Sequence, residues 1–271
     1  MDETPLVLLR GGGDLASGVV ARLFRSGFRV LIAELEQPRA IRRKACFAEA
    51  VYAGRVEVER IEAVRVEHVE QARREAEAGR VPVIVDPTAE SCRTHPLLAL
   101  VDGRMRKLPP ELGIEAAPMV VGLGPGFTAG VDCHAVIETQ RGHHLGRVIW
   151  QGAAARDTGR PGEIAGQTEG RLLRAPGRGV MQGRVAIGAT VAHGQAVAEI
   201  DGQVVAAAIA GVVRGLLHDG LSVAAGEKIG DIDPRGDPTH VGEISDKALA
   251  VGGGVLEALL TRPEIRRALR G

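Results

Sequence analysis

Aromatic side chains are almost missing. One Trp, one Tyr and four Phe make up 2% of the chain, which leaves little on which nucleic-acid bases could stack. Positive charge is not in surplus either. Lys and Arg number 34, and so do Asp and Glu, so no basic field draws a phosphate backbone and nucleic acid is not an expected partner. The three cysteines, Cys46, Cys92 and Cys133, are few, odd in number and far apart. That excludes a disulfide framework and fits a reducing compartment, so the expected location is cytoplasmic. Long apolar runs are lacking as well. The acidic start Met1-Asp2-Glu3-Thr4-Pro5 precedes a run too short for a signal peptide, and no later stretch approaches membrane-spanning length, so no membrane partner is expected. What remains, 45% hydrophobic and 25% charged residues over 271 positions, suits one large or two modest globular domains.

The chain opens with a short apolar run, Leu6 to Leu9, directly followed by glycines, as in a buried parallel strand that ends in a tight turn. Apolar residues at Leu15, Val19 and Leu23 predict a helix from Asp14 to Ser26, with Asp14 as cap and Gly27 as stop. Arg29 to Glu34 then reads as a second strand, completing a β-α-β unit. Further on, Val69 to Ala78 reads as a charged helix stopped by Gly79, and Val81 to Val85 as a strand closed by Asp86-Pro87. Met119 to Leu123 is an apolar strand leading into a second glycine-rich loop, Gly122 to Gly130. Ala135 to Glu138 and Arg147 to Trp150 read as further strands.

After Gly152 the composition shifts to Gly, Thr and Pro without a period, which marks a long connection. An internal repeat follows. Ala175 to Val180 aligns with Ala207 to Val212, and the register holds as Gly183 meets Gly215, Gly188 meets Gly220, Gly194 meets Gly226, and Ile200-Asp201 meets Ile232-Asp233. Each half predicts short strands with glycine turns. The halves resemble those of biotinyl and lipoyl domains, in which the modified lysine occupies the hairpin between halves. Here that hairpin is Asp201-Gly202-Gln203, so neither biotin nor lipoate is expected. Ser245 or Asp246 caps a predicted C-terminal helix interrupted by Gly252 to Gly254.

The expected fold is α/β. A Rossmann-like parallel sheet domain over 1–152 is followed by a connection over 153–170 and a small all-β barrel-sandwich hybrid domain over 171–235. A helical segment over 236–271 is a candidate to return to the first domain.

The first loop fits G-x-G-x-x-A as Gly11, Gly13 and Ala16, with Gly12 and Asp14 inside it and Glu34 where an acid would meet a ribose hydroxyl. Glycines let the backbone approach a phosphate, and a helix start offers amides and partial positive charge. Asp14 adds an unfavourable carboxylate that Arg10 could offset. Alternatively the turn only closes a strand-to-helix junction, and Glu34 is a solvated acid. In the second loop Gly122, Gly124 and Gly126, with the Thr128 hydroxyl, form a second candidate cradle; a wide structural turn is the other reading. Asp132, Cys133, His134, Glu138, Arg141, His143 and His144 crowd one region, but Cys133 and His134 as strand neighbours would point to opposite faces. Cys92 and His95 supply only two ligands. No metal site is expected. No catalytic residue can be assigned, because no nucleophile carries an elbow motif.

Eight blocks, RGGGDLASG (10–18), EQPRAIRRKACFAEAVYAG (36–54), GLGPGFTAG (122–130), VIETQRGHHLGRVI (136–149), TGRPGEIAG (158–166), RAPGRG (174–179), KIGDIDPR (228–235) and ISDKALAVGGGVLEALL (244–260), together resemble one family. It is that of the accessory proteins of the selenium-dependent molybdenum hydroxylase system, related to xanthine dehydrogenase maturation factors. Leu249 stands where the family pattern often has Arg. The resemblance implies a role in maturing a client molybdenum hydroxylase of the xanthine or purine dehydrogenase type, and binding of a molybdopterin-type cofactor or nucleotide at the Gly11 to Asp14 turn. The alternative, resting on G-x-G-x-x-A and Glu34 alone, is an NAD(P)-dependent oxidoreductase of a small substrate. Homo-oligomerisation is left open by the sequence.

Overall fold

The computed structural model describes residues 5–106, 110–157 and 165–269. Most of the TGRPGEIAG block and the first four residues lie outside them. Two compact units are formed, the first from residues 1–38, 46–157 and 244–271, the second from 39–45 and 158–243. Neither is one continuous stretch of chain.

The first unit is mixed α/β. In chain order its elements are β1 (Leu6–Arg10), α1 (Asp14–Arg25), β2 (Val30–Glu34), α2 (Ala50–Ala53), β3 (Arg55–Val58), β4 (Ile61–Val66), α3 (Val69–Glu77), β5 (Val81–Val85), α4 (Glu90–Arg93), β6 (Leu97–Asp102), β7 (Val120–Leu123), β8 (Thr128–Ala129), β9 (Ala135–Ile137), β10 (Val148–Ile149), β11 (Gly152–Ala153), α5 (Asp246–Leu260) and α6 (Pro263–Ala268). Nine of the strands form one sheet in the order β10-β9-β7-β6-β1-β2-β5-β4-β3. All neighbours pair parallel except β10 with β9 and β3 with β4, the two edges. β8 and β11 make a separate two-stranded ribbon.

Alternation along the strands sends Val7 and Leu9 to the face that α1 and α5 cover, and Leu6 and Leu8 to the opposite face. Arg10 follows Leu6 and Leu8 in this alternation. One expected cap moves, and one of the two alternatives for the other is taken. The N-cap of α1 is Gly13, with no side-chain cap, and Asp14 is already helical. For α5 the cap is Ser245, whose hydroxyl accepts from the Ala248 amide at 3.2 Å.

α5 is not interrupted at Gly252 to Gly254; it runs through them. Gly252 and Gly254 serve close contact. A Cβ on Gly18 of α1 would stand 2.1 Å from the Ala248 carbonyl oxygen, one on Gly252 2.3 Å from the Gly18 carbonyl oxygen, and one on Gly254 2.2 Å from the Gly146 carbonyl oxygen. The two helices thus touch backbone to backbone.

Among its described residues the second unit has eight strands: β12 (Leu172–Arg174), β13 (Gly179–Gly183), β14 (Thr190–Val191), β15 (Ala196–Ile200), β16 (Gln203–Ala206), β17 (Gly211–Leu216), β18 (Ser222–Val223) and β19 (Lys228–Asp233). They form two four-stranded antiparallel sheets, β12-β19-β17-β14 and β16-β15-β13-β18, around one apolar core. The starts Gly179 and Gly211, Thr190 and Ser222, Ala196 and Lys228 each differ by thirty-two positions. The turn bonds repeat too: the Gly188 amide donates to Val213 O and the Gly220 amide to Met181 O, both at 2.8 Å. β14 and β18 are exchanged, each pairing with the opposite half. Residues 39–45 strap this unit. The Leu216 amide donates to Ile41 O at 2.9 Å, and Ile41 packs where Gly215 has no side chain.

Candidate functional site

The sheet of the first unit reverses its winding between β1 and β6. From β1 the chain moves outward through β2, then crosses to place β6 and β7 on the other side of β1. In open α/β sheets such a switch leaves a crevice beyond the carboxyl ends of the two strands. Here those ends are Arg10 and Asp102, paired in register, and the loops after them are the Gly11 to Asp14 turn and residues 103 onward.

The turn is largely closed by its own surroundings. Gly11 has a φ of +88° and donates its amide to Ala33 O at 2.8 Å. The Gly12 amide donates to Glu34 Oε2 at 2.6 Å, and Leu35 donates to Glu34 Oε1 at 2.8 Å. Glu34 is therefore buried and fully engaged rather than a solvated acid. Burial raises its pKa above the usual carboxylate value, against the lowering effect of the two amides and of Arg104. Above the turn, the Ala48 amide donates to Gly12 O at 2.9 Å, and the buried Ser17 hydroxyl accepts from the Phe47 amide at 3.1 Å. A Cβ on Gly12 would lie 2.8 Å from the Ala48 nitrogen, so only glycine fits there. Around Gly13 nothing lies within 4 Å of an added Cβ. An anion reaching this turn would meet Gly13 and the uncapped first turn of α1.

Arg10 does not offset Asp14. Strand alternation turns it away from α1, and its guanidinium, 1% exposed, donates to Pro87 O at 3.1 Å and Glu111 Oε2 at 2.9 Å, with Asp102 Oδ2 at 3.5 Å. Arg104 donates to Asp102 through Nε at 3.0 Å and Nη2 at 2.6 Å, and to Glu111 through Nη1 at 3.0 Å. Its chain lies over the turn, with Cγ 3.1 Å from where a Gly11 Cβ would be. Arg106 also donates to Glu111. Slight burial works against ionisation of Glu111, but the hydrogen bonds from Arg10, Arg104 and Arg106 hold its carboxyl down at about 2.

The second glycine loop lies after β7 on the same edge of the sheet. The Phe127 ring sits on Gly122, where a Cβ would meet it at 2.3 Å, and Gly124 and Gly126 have φ of +69° and +109°. Thr128 is in β8, its amide donating to Asp132 Oδ2 at 2.8 Å. Cys133 and His134 precede β9 rather than lying in it, and Trp150 lies beyond β10. The His134 Nδ1 accepts from the Val120 amide at 3.0 Å. His143 and His144 sit in a turn with their rings edge to face. Burial pushes the Cys92 thiol up to about 12 and the Cys133 thiol to about 11, which leaves both poor nucleophiles. Among the described residues no three His, Cys, Asp or Glu side chains are grouped to hold a metal, and no helix is long and apolar enough to cross a membrane.

Five residues that the sequence did not single out belong to this edge. Asp102, Arg104, Arg106 and Glu111 are four, and motif spacing carried no sign of them. Lys247, at the start of α5, is the fifth. Burial, helped by the charge of Arg141, lowers its pKa against the opposing charges of Asp14, Glu138 and Asp157.

No family model matches the chain. It is 47% identical over 255 residues to the uncharacterized protein YqeB of Escherichia coli (strain K12), a match that takes in 94% of this chain and 47% of that protein. Solved structures give weaker likenesses. An aspartoacylase family protein from Mesorhizobium loti is 18% identical over 24% of this chain and 23% of that one, with a TM-score of 0.22. The apo ectoine utilization protein EutE (DoeB) from Ruegeria pomeroyi is 10% identical over 84% of this chain and 86% of that one, with a TM-score of 0.25. The chain therefore spans about half the length of the curated relative it matches.

Proposed function

We propose that the chain is an accessory or maturation factor for a client molybdenum hydroxylase of the xanthine or purine dehydrogenase type. In this reading the first unit is Rossmann-like and binds a phosphate-bearing cofactor, a molybdopterin or a nucleotide. The second is a barrel-sandwich hybrid that carries no biotin or lipoate, and the protein works in the cytoplasm. One observation carries the proposal: the glycine turn, the uncapped start of α1 and three arginines all lie at the β1/β6 switch point of the sheet. Open amides and guanidinium groups are what a phosphate requires. Gly122 to Thr128 borders the same edge as the proposed second wall.

An NAD(P) oxidoreductase is less well supported. Both Glu34 oxygens, which would hold the ribose, are engaged by the Gly12 and Leu35 amides. The eight-block resemblance favours a cofactor-handling factor over an oxidoreductase. The deciding experiment is mass spectrometry of the small molecules that copurify from a molybdenum-replete host, with calorimetry of pterin phosphate and of nucleotides on the wild type and Gly13→Val. A pterin or nucleotide that binds the wild type and not the variant is expected. Equal affinity in both defeats the proposal.

A further inference from the structure

Three guanidinium groups converge on one side chain. Glu111 receives Arg10 at 2.9 Å, Arg104 at 3.0 Å and Arg106 through its other oxygen. These partners differ greatly in exposure: Arg10 is 1% exposed and Arg104 14%, whereas Glu111 is 47% exposed. Glu111 thus stands on the solvent side of the cluster and covers the buried arginine. It belongs to the connection between β6 and β7 and is itself in no apolar cluster, while its neighbour Leu112 packs against the core, so the movement asked of Glu111 is that of its side chain and not of the connection.

Charge counting shows what the cluster would hold without it. Counting only the side chains bonded to one another, the three arginines contribute three positive charges and Asp102 one negative charge, leaving two positive, and with Glu111 in place one remains; Glu34 acts on Arg104 only at a distance, its oxygens being held by the Gly12 and Leu35 amides. Arginine forks accept carboxylate and phosphate oxygens in the same geometry. A terminal phosphate carries between one and a half and two negative charges near neutral pH. The carboxylate therefore under-neutralises a cluster whose charge a phosphate would match. The cluster also sits at the switch point, where open α/β sheets bind ligands.

We infer that Arg10, Arg104 and Arg106 form a phosphate site that Glu111 occupies as an internal stand-in, to be displaced by the terminal phosphate of a ligand. This rests on the reading of the first unit as a phosphate-binding unit, but not on which cofactor brings the phosphate. The site is self-inhibited. Its apparent affinity is lowered in proportion to the time Glu111 spends in it.

Inorganic pyrophosphate, titrated calorimetrically into the full chain, tests this without presupposing a cofactor. Glu111→Gln removes the competing charge and is expected to tighten binding about ten-fold, as for a site closed about nine-tenths of the time. Adding Arg104→Met to it should abolish the gain. Arg106→Met in the wild-type background provides a check that does not depend on the first variant folding. Arg106 is 41% exposed, and its loss should weaken pyrophosphate binding several-fold with thermal unfolding unchanged. If Glu111→Gln binds pyrophosphate no better than wild type, or Arg106→Met binds it equally well, Glu111 is only a structural cross-link and the inference fails. A gain with pyrophosphate while neither pterin phosphate nor a nucleotide binds any variant would uphold the site and overturn the cofactor reading instead.

Discussion

The carboxylate of Glu34 and the amide of Gly12 are joined by a 2.6 Å hydrogen bond, so the acid at the end of β2 holds the glycine turn from within. A buried acid in this position gives stability an unusual dependence on pH. The Glu34 pKa is raised by burial, so its contribution is fully present below the ordinary glutamate value, near pH 4, and is lost as pH rises through the raised value. Glu111 has the opposite sign: held at about 2, it contributes above the ordinary value, and that contribution is lost as pH falls towards 2. Thermal unfolding of wild type, Glu34→Gln and Glu111→Gln between pH 2 and 8 separates the two. The advantage of wild type over Glu34→Gln should shrink with rising pH, while that over Glu111→Gln should grow from acid up to about pH 5 and then level off. Parallel curves would contradict both assignments.

Adjacent glycines in α5 should respond with opposite signs. Alanine gains about 1 kcal/mol over glycine in a helix interior. At Gly253, where an added Cβ meets nothing within 4 Å, Gly253→Ala should realise much of this gain. At Gly252 the Cβ would stand 2.3 Å from the Gly18 carbonyl oxygen, and no rotamer relieves a clash with backbone. Overpacking of about 1–3 kcal/mol then outweighs the gain, so Gly252→Ala should be destabilised in urea denaturation.

The glycine turn allows a similar contrast. Gly12→Ala puts a Cβ 2.8 Å from the Ala48 nitrogen and should destabilise by about 1–3 kcal/mol. Gly13→Ala has open space and a φ of −72°, and should cost no more than about 1 kcal/mol as a poorer N-cap. Ligand binding should nevertheless be lost at Gly13, which is read by comparing melting curves with calorimetric affinities for the two variants.

In the second unit, Arg171 and Asp231 form a buried ion pair at 2.5 Å. Removing one partner leaves a buried charge, so Asp231→Ala should cost about 3–5 kcal/mol. Chemical denaturation measures it; a change below about 1 kcal/mol would show the pair to be dispensable.

Much of this architecture was legible in the residues. Leu6 to Leu9, the glycine cluster and the period of Leu15, Val19 and Leu23 marked β1, the turn and α1, because strand, turn and helix are each specified by local spacing. The thirty-two-residue repeat marked strands β13 to β19 in the same way. The strand Leu97–Asp102 was not legible: its five-residue apolar run, Leu97 to Val101, has no period that separates strand from helix. Without it neither the switch point nor the partner of Arg10 could be seen.

By itself the sequence determined which segments are strands, turns and helices wherever a period or a glycine specifies them, and that the chain has a repeated half. Only the tertiary structure decided that Arg10 turns to Asp102 and Glu111 rather than to Asp14, that Glu34 is buried beneath Gly12, and that Gly252 of α5 lets the helix touch α1 at Gly18. Each of these joins residues far apart in the chain, or decides which face a side chain meets. Such pairings follow from the order of strands in the sheet and the packing of its layers, which local spacing does not encode.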